Sequence, residues 1–322
     1  MKTIRMALTY SDRTQKFFRE ETTIGDMQIK AIELPVEEIF FRQVRNYEFD
    51  ISELSLSSYL VLKGMGNEEL VALPVFLSRA FRHDSIYVKA ESNLRTLRDL
   101  KGKRIGMPEW QMTACVWVRG LFKDEGISNE EIDWYTYREE RVPIKTPTKR
   151  GTSKYNDWLR DMCEALINNE VDAIITVRQP PKEYYSIDRT KSKLRRLFDN
   201  PWEEAAKYYN KTKIFPIMHV LAIKKGLAEK YPDLPSKLYN EFLKAKEEAY
   251  MRIREPYLMF ISPFINEAYE EAVRLMGEDY WSYGVSKNWY VIQKLMSYMI
   301  KDGLIKEELK KEDIFLNSLI NT

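Results

Sequence analysis

The order in which strand and helix signals follow one another constrains this chain more than any motif does. Short apolar or alternating runs fall at residues 3–10, 27–34, 49–54, 71–76, 86–89, 104–107, 132–137, 172–177, 194–198 and 215–224. Between them lie stretches with helical spacing at 11–18, from Pro35 onward, and at 59–63, 94–100, 111–125, 157–168 and 201–209. That alternation is the pattern of an α/β chain with a mostly parallel sheet. After residue 224 the strands stop. Residues 236–254, 263–276 and 288–301 are long, charged and helix-periodic, and read as an outer C-terminal helical layer. Residues 138–155 carry many charges, two prolines and one glycine without a period, and read as a loop.

The order suggests two interwound lobes. The first takes residues 1–86 and 218–322, and the second, 87–217, is inserted into it. Strands 86–89 and 217–223 would carry the chain across and form a hinge.

Composition removes several function classes. With 322 residues, 44% hydrophobic, the chain has ample core material. Fifty-one basic side chains against 49 acidic ones leave a net charge of +2, which gives nucleic acid nothing to grip. Cys115 and Cys163 lie in helical segments without metal-ligand spacing, so neither a disulfide framework nor a zinc site is expected. The N-terminus alternates like a strand and lacks the apolar core of a leader. No run approaches the roughly 20 apolar residues of a membrane span. A cytoplasmic protein with no membrane partner is the expectation. A Gly-rich phosphate loop and a G-x-S-x-G elbow are both missing, which disfavours nucleotide and serine-hydrolase chemistry.

Residues 79–87 then stand out. They place Arg79, Arg82, Asp84 and His83, one of only two histidines, between two apolar runs. Charges there are costly unless they face a solvated cleft or a ligand, so the cleft is expected here, between the lobes. Ligands of open α/β sheets sit beyond the carboxyl ends of strands and at helix N-termini. That rule selects Ser55, Ser57 and Ser58 after residues 49–54, Glu109, Gln111 and Thr113 after 104–107, and Arg178 after 172–177. Helix capping would explain the serines equally well, a first-turn acid Glu109, and a solvated loop Arg178. His83 and His219 are the acid–base candidates, because imidazole titrates near neutral pH. A lone histidine in an apolar strand, such as His219, is also a common core residue. Both histidines fall at the expected lobe boundary.

At these same segments the chain resembles the 4,5-dihydroxyphthalate decarboxylase family, whose fold is that of the type II periplasmic binding proteins. The resemblance rests on Leu34-Pro35-Val36-Glu37-Glu38, on Glu53-Leu54-Ser55-Leu56-Ser57-Ser58-Tyr59 and on Phe81-Arg82-His83-Asp84-Ser85. It continues through Gly106-Met107-Pro108-Glu109-Trp110-Gln111-Met112-Thr113, Trp117-Val118-Arg119-Gly120, Phe215-Pro216-Ile217-Met218-His219 and Met276-Gly277-Glu278-Asp279-Tyr280-Trp281. Asp84, Gln179-Pro180, Asn288-Trp289 and a short 138–153 segment depart from the family pattern.

The resemblance implies a cofactor-independent carboxy-lyase acting on a hydroxylated aromatic dicarboxylate in the cleft. Under it, Arg79, Arg82 and Arg178 clamp carboxylates, with Ser57, Ser58, Gln111 and Thr113 assisting. His83 or Glu109 gives a proton to the ring, and His219 serves the phenol. The rival from another class is a solute-binding protein for a small organic anion, with no catalysis. A lyase or dehydratase on a related cyclic acid is a third possibility, and a homo-oligomer through the aromatic C-terminal region is a fourth open point.

Overall fold

The short apolar runs form strands in the computed structural model, which describes residues 2–19, 21–255 and 260–322. In chain order the strands are β1 (Lys2–Leu8), β2 (Thr22–Ile24), β3 (Met27–Glu33), β4 (Ile51–Ser55), β5 (Leu70–Arg79) and β6 (Ile86–Lys89). They continue with β7 (Arg104–Met107), β8 (Asp133–Thr136), β9 (Lys149–Arg150), β10 (Ala173–Ile175), β11 (Leu194–Arg196) and β12 (Ile217–Lys224). The chain divides into two units. One comprises Met1–Arg79, Ile217–Gln293 and Glu308–Thr322, and the other Ala80–Pro216 and Lys294–Glu307. The expected first lobe takes in residues 1, 20 and 256–259, which lie outside the described residues. Residues 80–86 and 294–307, expected in that lobe, group with the second unit.

Each unit is built on one six-stranded sheet. The first has the order β2-β3-β1-β4-β12-β5, and the second β11-β6-β10-β7-β8-β9. The expected mostly parallel sheet is thus replaced by two mixed ones. Among the described residues five strand pairings are parallel and five antiparallel. Apart from the edge hairpin β2–β3, the antiparallel pairings are systematic. β12 runs against both β4 and β5, and β6 runs against both β10 and β11. Each is the first strand the chain lays down on entering a unit, so its direction is not fixed by a βαβ crossover. β6 lies wholly in the second unit and β12 wholly in the first, and the chain passes over at 79–80 and 216–217.

The helices that matter for the site are α1 (Gln15–Arg19), α2 (Val36–Asn46), α3 (Leu56–Gly64), α4 (Thr113–Asp124), α5 (Trp158–Ile167) and α6 (Pro201–Thr212). The C-terminal layer follows the expected spans closely: residues 234–254, 265–276 and 289–301 are helical. The helix expected at 94–100 reduces to one 3-10 turn at Arg98–Leu100. Asp99 accepts the amides of Arg95 and Thr96 at 2.8 Å each, and such a local side-chain turn competes with helix propagation. The helix expected at 59–63 begins earlier, at Leu56, and the short edge strand β2 was not anticipated.

Candidate active site

In the first unit the site is built on β4 and β12. Every residue of Ile51–Ser55 is buried, and one of them is Glu53. A carboxylate in a fully buried strand requires a partner. β12 supplies it. Leu221 pairs with Glu53 in the ladder, which puts His219, two residues back, on the same face. His219 Nδ1 lies 2.6 Å from Glu53 Oε1, while Glu53 Oε2 accepts the Thr9 amide at 3.1 Å. The Phe40 ring of α2 meets the imidazole edge-on, with centroids 4.9 Å apart. Burial alone would push the Glu53 carboxyl up. The hydrogen bond and charge of His219, with the Thr9 amide, outweigh it and hold the group below the usual carboxylate range. A carboxylate at Nδ1 places the ring proton on that nitrogen and leaves Nε2 with its lone pair.

The backbone around His219 is irregular. The β12–β5 ladder slips on both sides of His219, which pairs with Ser78 while Leu221 pairs with Leu73. Pro74 lies in the looped-out part of β5 and has no amide to give the ladder. Such bulges re-aim side chains next to sites.

Arg79, at the end of β5, is buried. It donates to the Ser282 carbonyl at 2.8 Å and to Asn288 Oδ1, and its guanidinium lies 5.4 Å from the Phe76 ring centroid. Burial pulls its pKa down to about 10. Ser57 and Ser58 lie in the first turn of α3, both fully buried, and Ser58 Oγ donates to Ser55 Oγ at 3.2 Å. Ser55 precedes the helix yet makes no side-chain capping bond.

In the second unit β7 delivers Glu109, which is fully buried. Its Oε1 accepts from Arg138, with Nε at 2.6 Å, and pairs with Arg141 NH2 at 3.2 Å. Among the described residues its Oε2 takes no hydrogen bond. Glu140 receives the amides of Trp110 at 2.5 Å and Gln111 at 3.0 Å. Both ends of the Gln111 side-chain amide engage the Val142 backbone, at 2.7 and 3.2 Å. Thr113 opens α4 and is buried. The segment read as a loop, 138–142, therefore holds the Glu109–Gln111 turn in place. Arg119 and Asp302 secure it from the other side. Arg119 donates to the Trp110 carbonyl at 2.7 Å and to Asp302 Oδ2 at 2.7 Å, and the Asp302 carbonyl accepts Trp110 Nε1 at 3.1 Å.

Arg178 is exposed, past a turn in which Thr176 Oγ1 donates to the Arg178 carbonyl at 2.9 Å. Its guanidinium lies 5.8 Å from the centroid of the Trp158 ring, and that of Arg138 lies 5.4 Å from the same ring. Arg82 is partly exposed, and burial of its charged end lowers its pKa against the opposing charge of Asp84.

His83 departs most from expectation. It sits in a 3-10 turn, 6% exposed, beside the rings of Phe198 and Tyr208 at 6.0 and 5.5 Å. It lines a groove of about 750 Å³ whose described lining includes none of the other candidate residues. Burial pulls its pKa down to about 4, against the weaker opposing charges of Glu204 and Asp84. The imidazole is therefore neutral near pH 7.

Both cysteines are free and buried, and burial pushes each thiol up to about 12. Among the described residues no cluster of three His, Cys, Asp or Glu side chains could hold a metal. No described helix is long and apolar enough to cross a membrane.

Sequence reading alone missed Glu53, Arg138 and Arg141. The signal for Glu53 was an acid inside an apolar strand. For the arginines the only signal was an excess of cations in an aperiodic stretch.

Comparison with known proteins gives two levels of similarity. The 4,5-dihydroxyphthalate decarboxylase of Comamonas testosteroni is 39% identical over 306 residues, covering 90% of this chain and 91% of that protein. The protein of the same name from Pseudomonas putida is 40% identical over 169 residues, covering 48% of this chain and 65% of that one. No family model matches. Among solved structures, a periplasmic aliphatic sulphonate binding protein from Escherichia coli superposes with a TM-score of 0.57 at 13% identity, covering 98% of this chain and 92% of that one. The ligand-binding component of an ABC-type import system from Staphylococcus aureus gives 0.56 at 10% identity, over 99% and 98% of the two chains. A desulfurization enzyme gives 0.51 at 12%, over 97% and 95%. These likenesses establish the periplasmic-binding-protein fold, a fold that serves binding proteins and enzymes alike and so does not decide between them.

Proposed function

From the premise that this chain belongs to the 4,5-dihydroxyphthalate decarboxylase family, we propose that it is a carboxy-lyase which removes carbon dioxide from a hydroxylated aromatic dicarboxylate. The observation that carries this reading beyond family membership is the Glu53–His219 pair, at 2.6 Å, with Thr9 holding the second oxygen of the acid. A protein that only binds an anion needs cations and amides. It has no use for a buried carboxylate that orients an imidazole.

The chemistry assigns the parts. A hydroxyl para to the departing carboxylate loses its proton to His219 Nε2, and Glu53 stabilises the imidazolium that forms. The phenolate pushes electron density through the ring onto the carbon that bears the carboxylate. That carbon takes a proton from solvent. The carbon–carbon bond then breaks, its electron pair returns to the ring, carbon dioxide leaves, and the phenolate that re-forms takes its proton back from His219. Dicarboxylate plus one proton becomes monocarboxylate plus carbon dioxide, with no change of oxidation state at the enzyme. The ring itself is the electron sink.

Arginines hold carboxylates in two-point fashion. Arg79, Arg82 and Arg178 keep that role in the proposal, with Ser57, Ser58, Gln111 and Thr113 as supporting polar groups. The proposal assigns no proton-donor role to His83, whose burial lowers its pKa to about 4. Glu109 serves as the anchor of Arg138 and Arg141.

The test follows carbon dioxide release and binding heat side by side with 4,5-dihydroxyphthalate, using wild type, His219→Ala and Glu53→Gln. His219→Ala is expected to lower kcat by roughly 10²–10⁴-fold while binding heat survives. Glu53→Gln is expected to act in the same direction, because the amide no longer fixes the tautomer. Binding heat without product from the wild type would favour the anion-binding reading.

A further inference from the structure

The Glu53–His219 pair is held by two irregular pieces of backbone, and one side chain joins them. On the acid's side, Glu53 Oε2 takes the amide of Thr9, the first residue after β1 and so outside its ladder. The turn at residues 9–14 therefore decides where that amide sits. Thr14 is buried and closes the turn, its Oγ1 donating to the Thr9 carbonyl at 2.7 Å and accepting the Ser11 amide at 2.9 Å. On the histidine's side, residues 74–77 of β5 lie opposite Val220 alone, because Ser78 pairs with His219 and Leu73 with Leu221.

Backbone carbonyls that leave a ladder need donors from elsewhere. The Pro74 carbonyl accepts the Gly284 amide at 2.9 Å, and the Phe76 carbonyl accepts Trp281 Nε1 at 2.8 Å. The Leu77 carbonyl is taken by Arg13, whose Nε and Nη2 reach it at 3.3 and 3.2 Å. The same guanidinium lies over the Trp281 ring, 4.1 Å from its centroid, and its Nη1 donates to Asp12 Oδ1 at 2.5 Å. Arg13 thus joins the turn that holds Glu53 to the stretch of β5 just before Ser78, the partner of His219. Its charge is felt at the acid as well. Burial pushes the Glu53 carboxyl up, while His219, the Thr9 amide and Arg13 pull it down.

We propose that Arg13 is a positioning residue for the Glu53–His219 pair, a brace that fixes the Thr9 turn against the looped-out part of β5 and so sets acid and imidazole to one another. Its effect on turnover rests on the proposed function. The brace itself does not, since it concerns only how the pair is held. Arginine suits the position because its planar fork gives two donors to one carbonyl while its flat face covers the indole. A lysine would keep the charge and one of the bonds.

The experiment puts isotopically labelled histidine into the full-length protein and reads the ring nitrogens and the Nδ1 proton by NMR. The chain has only two histidines, so His219 is read against His83 as an internal reference. Wild type is expected to show His219 as a single tautomer with its proton on Nδ1. Arg13→Gln is expected to displace or broaden the His219 signals and to speed exchange of its Nδ1 proton roughly tenfold, while His83 stays in place and the thermal transition survives. In the same variant kcat on 4,5-dihydroxyphthalate is expected to fall by about tenfold to a hundredfold, with KM changed by no more than about threefold. Arg13→Lys is expected to recover part of both losses, and it carries the test if Arg13→Gln does not fold. The NMR arm needs no turnover. A wild type that releases no carbon dioxide would therefore sink the carboxy-lyase reading alone, and the His219 signals would still decide the brace. A folded Arg13 variant with unchanged His219 signals would overturn the proposal. So would equal displacement of both histidines, or a loss of kcat with the Nδ1 proton undisturbed.

Discussion

At the scale of single residues, the two histidines show how far residue type alone can be trusted. Both are candidates because imidazole titrates near neutrality, and their surroundings differ. His219 has Glu53 behind it and one nitrogen left over. His83 has aromatic neighbours and no hydrogen bond at Nδ1 among the described residues. Its depressed pKa has a consequence for stability. The folded protein resists the proton that the unfolded chain accepts, so stability is lost as pH falls from about 6.5 toward about 4. His83→Leu is expected to remove most of that acid sensitivity, on the order of 2–3 kcal/mol in urea unfolding at the low-pH end. An unchanged pH profile would mean the ring is hydrated in solution. Glu53 acts in a lower window. Its carboxyl is held below its ordinary value of 4.5, so its contribution is complete above that pH and lost as pH falls through the folded value. Glu53→Gln should therefore flatten stability only below about 4.5, where His83→Leu has already had its effect. Little of this was legible in the sequence. The dyad depends on which residues two antiparallel strands bring together across 166 positions, and strand register is not written locally.

At the scale of elements, the sequence was read most accurately where one periodicity dominated. The strand at Arg104–Met107 and the C-terminal helices fell within a few residues of their expected limits. It was read least well where side chains override periodicity, as with Asp99 in the 94–100 segment. The aperiodic 138–142 stretch is the clearest case. Its structure is specified by Glu109, Gln111 and Glu140, which reach across from or toward another element. Two predictions belong here. Asp302 is buried and accepts from Arg119, Lys123 and Asn129, so Asp302→Ala strands two cations and is expected to cost about 3–5 kcal/mol in chemical unfolding. A loss below about 1 kcal/mol would show that water replaces the carboxylate. Gly120 packs against the Tyr298 ring with no room for a Cβ, and Tyr298 is held in turn by Asp124 at 2.5 Å. Gly120→Ala is therefore expected to destabilise by about 1–3 kcal/mol despite the better helix propensity of alanine, read as a lowered Tm.

At the scale of the whole molecule, the alternation of strands and helices was enough to indicate an α/β chain of two units. It was not enough to give strand directions, because β6 and β12 run against their neighbours for reasons of connectivity. The fold leaves function open, since solved structures of the same fold include both binding proteins and an enzyme. What separates the alternatives is a proton inventory. A carboxy-lyase must put a solvent proton on the ring carbon that loses its carboxylate, and a binding protein leaves every ring position as it was. The most direct measurement is therefore to incubate the protein with 4,5-dihydroxyphthalate in deuterium oxide and examine the aromatic product by NMR and mass spectrometry. The expected product is 3,4-dihydroxybenzoate carrying one deuterium at the vacated ring position, formed in step with carbon dioxide and abolished by His219→Ala. Recovery of the intact diacid, or a monoacid whose formation is indifferent to His219, would contradict it.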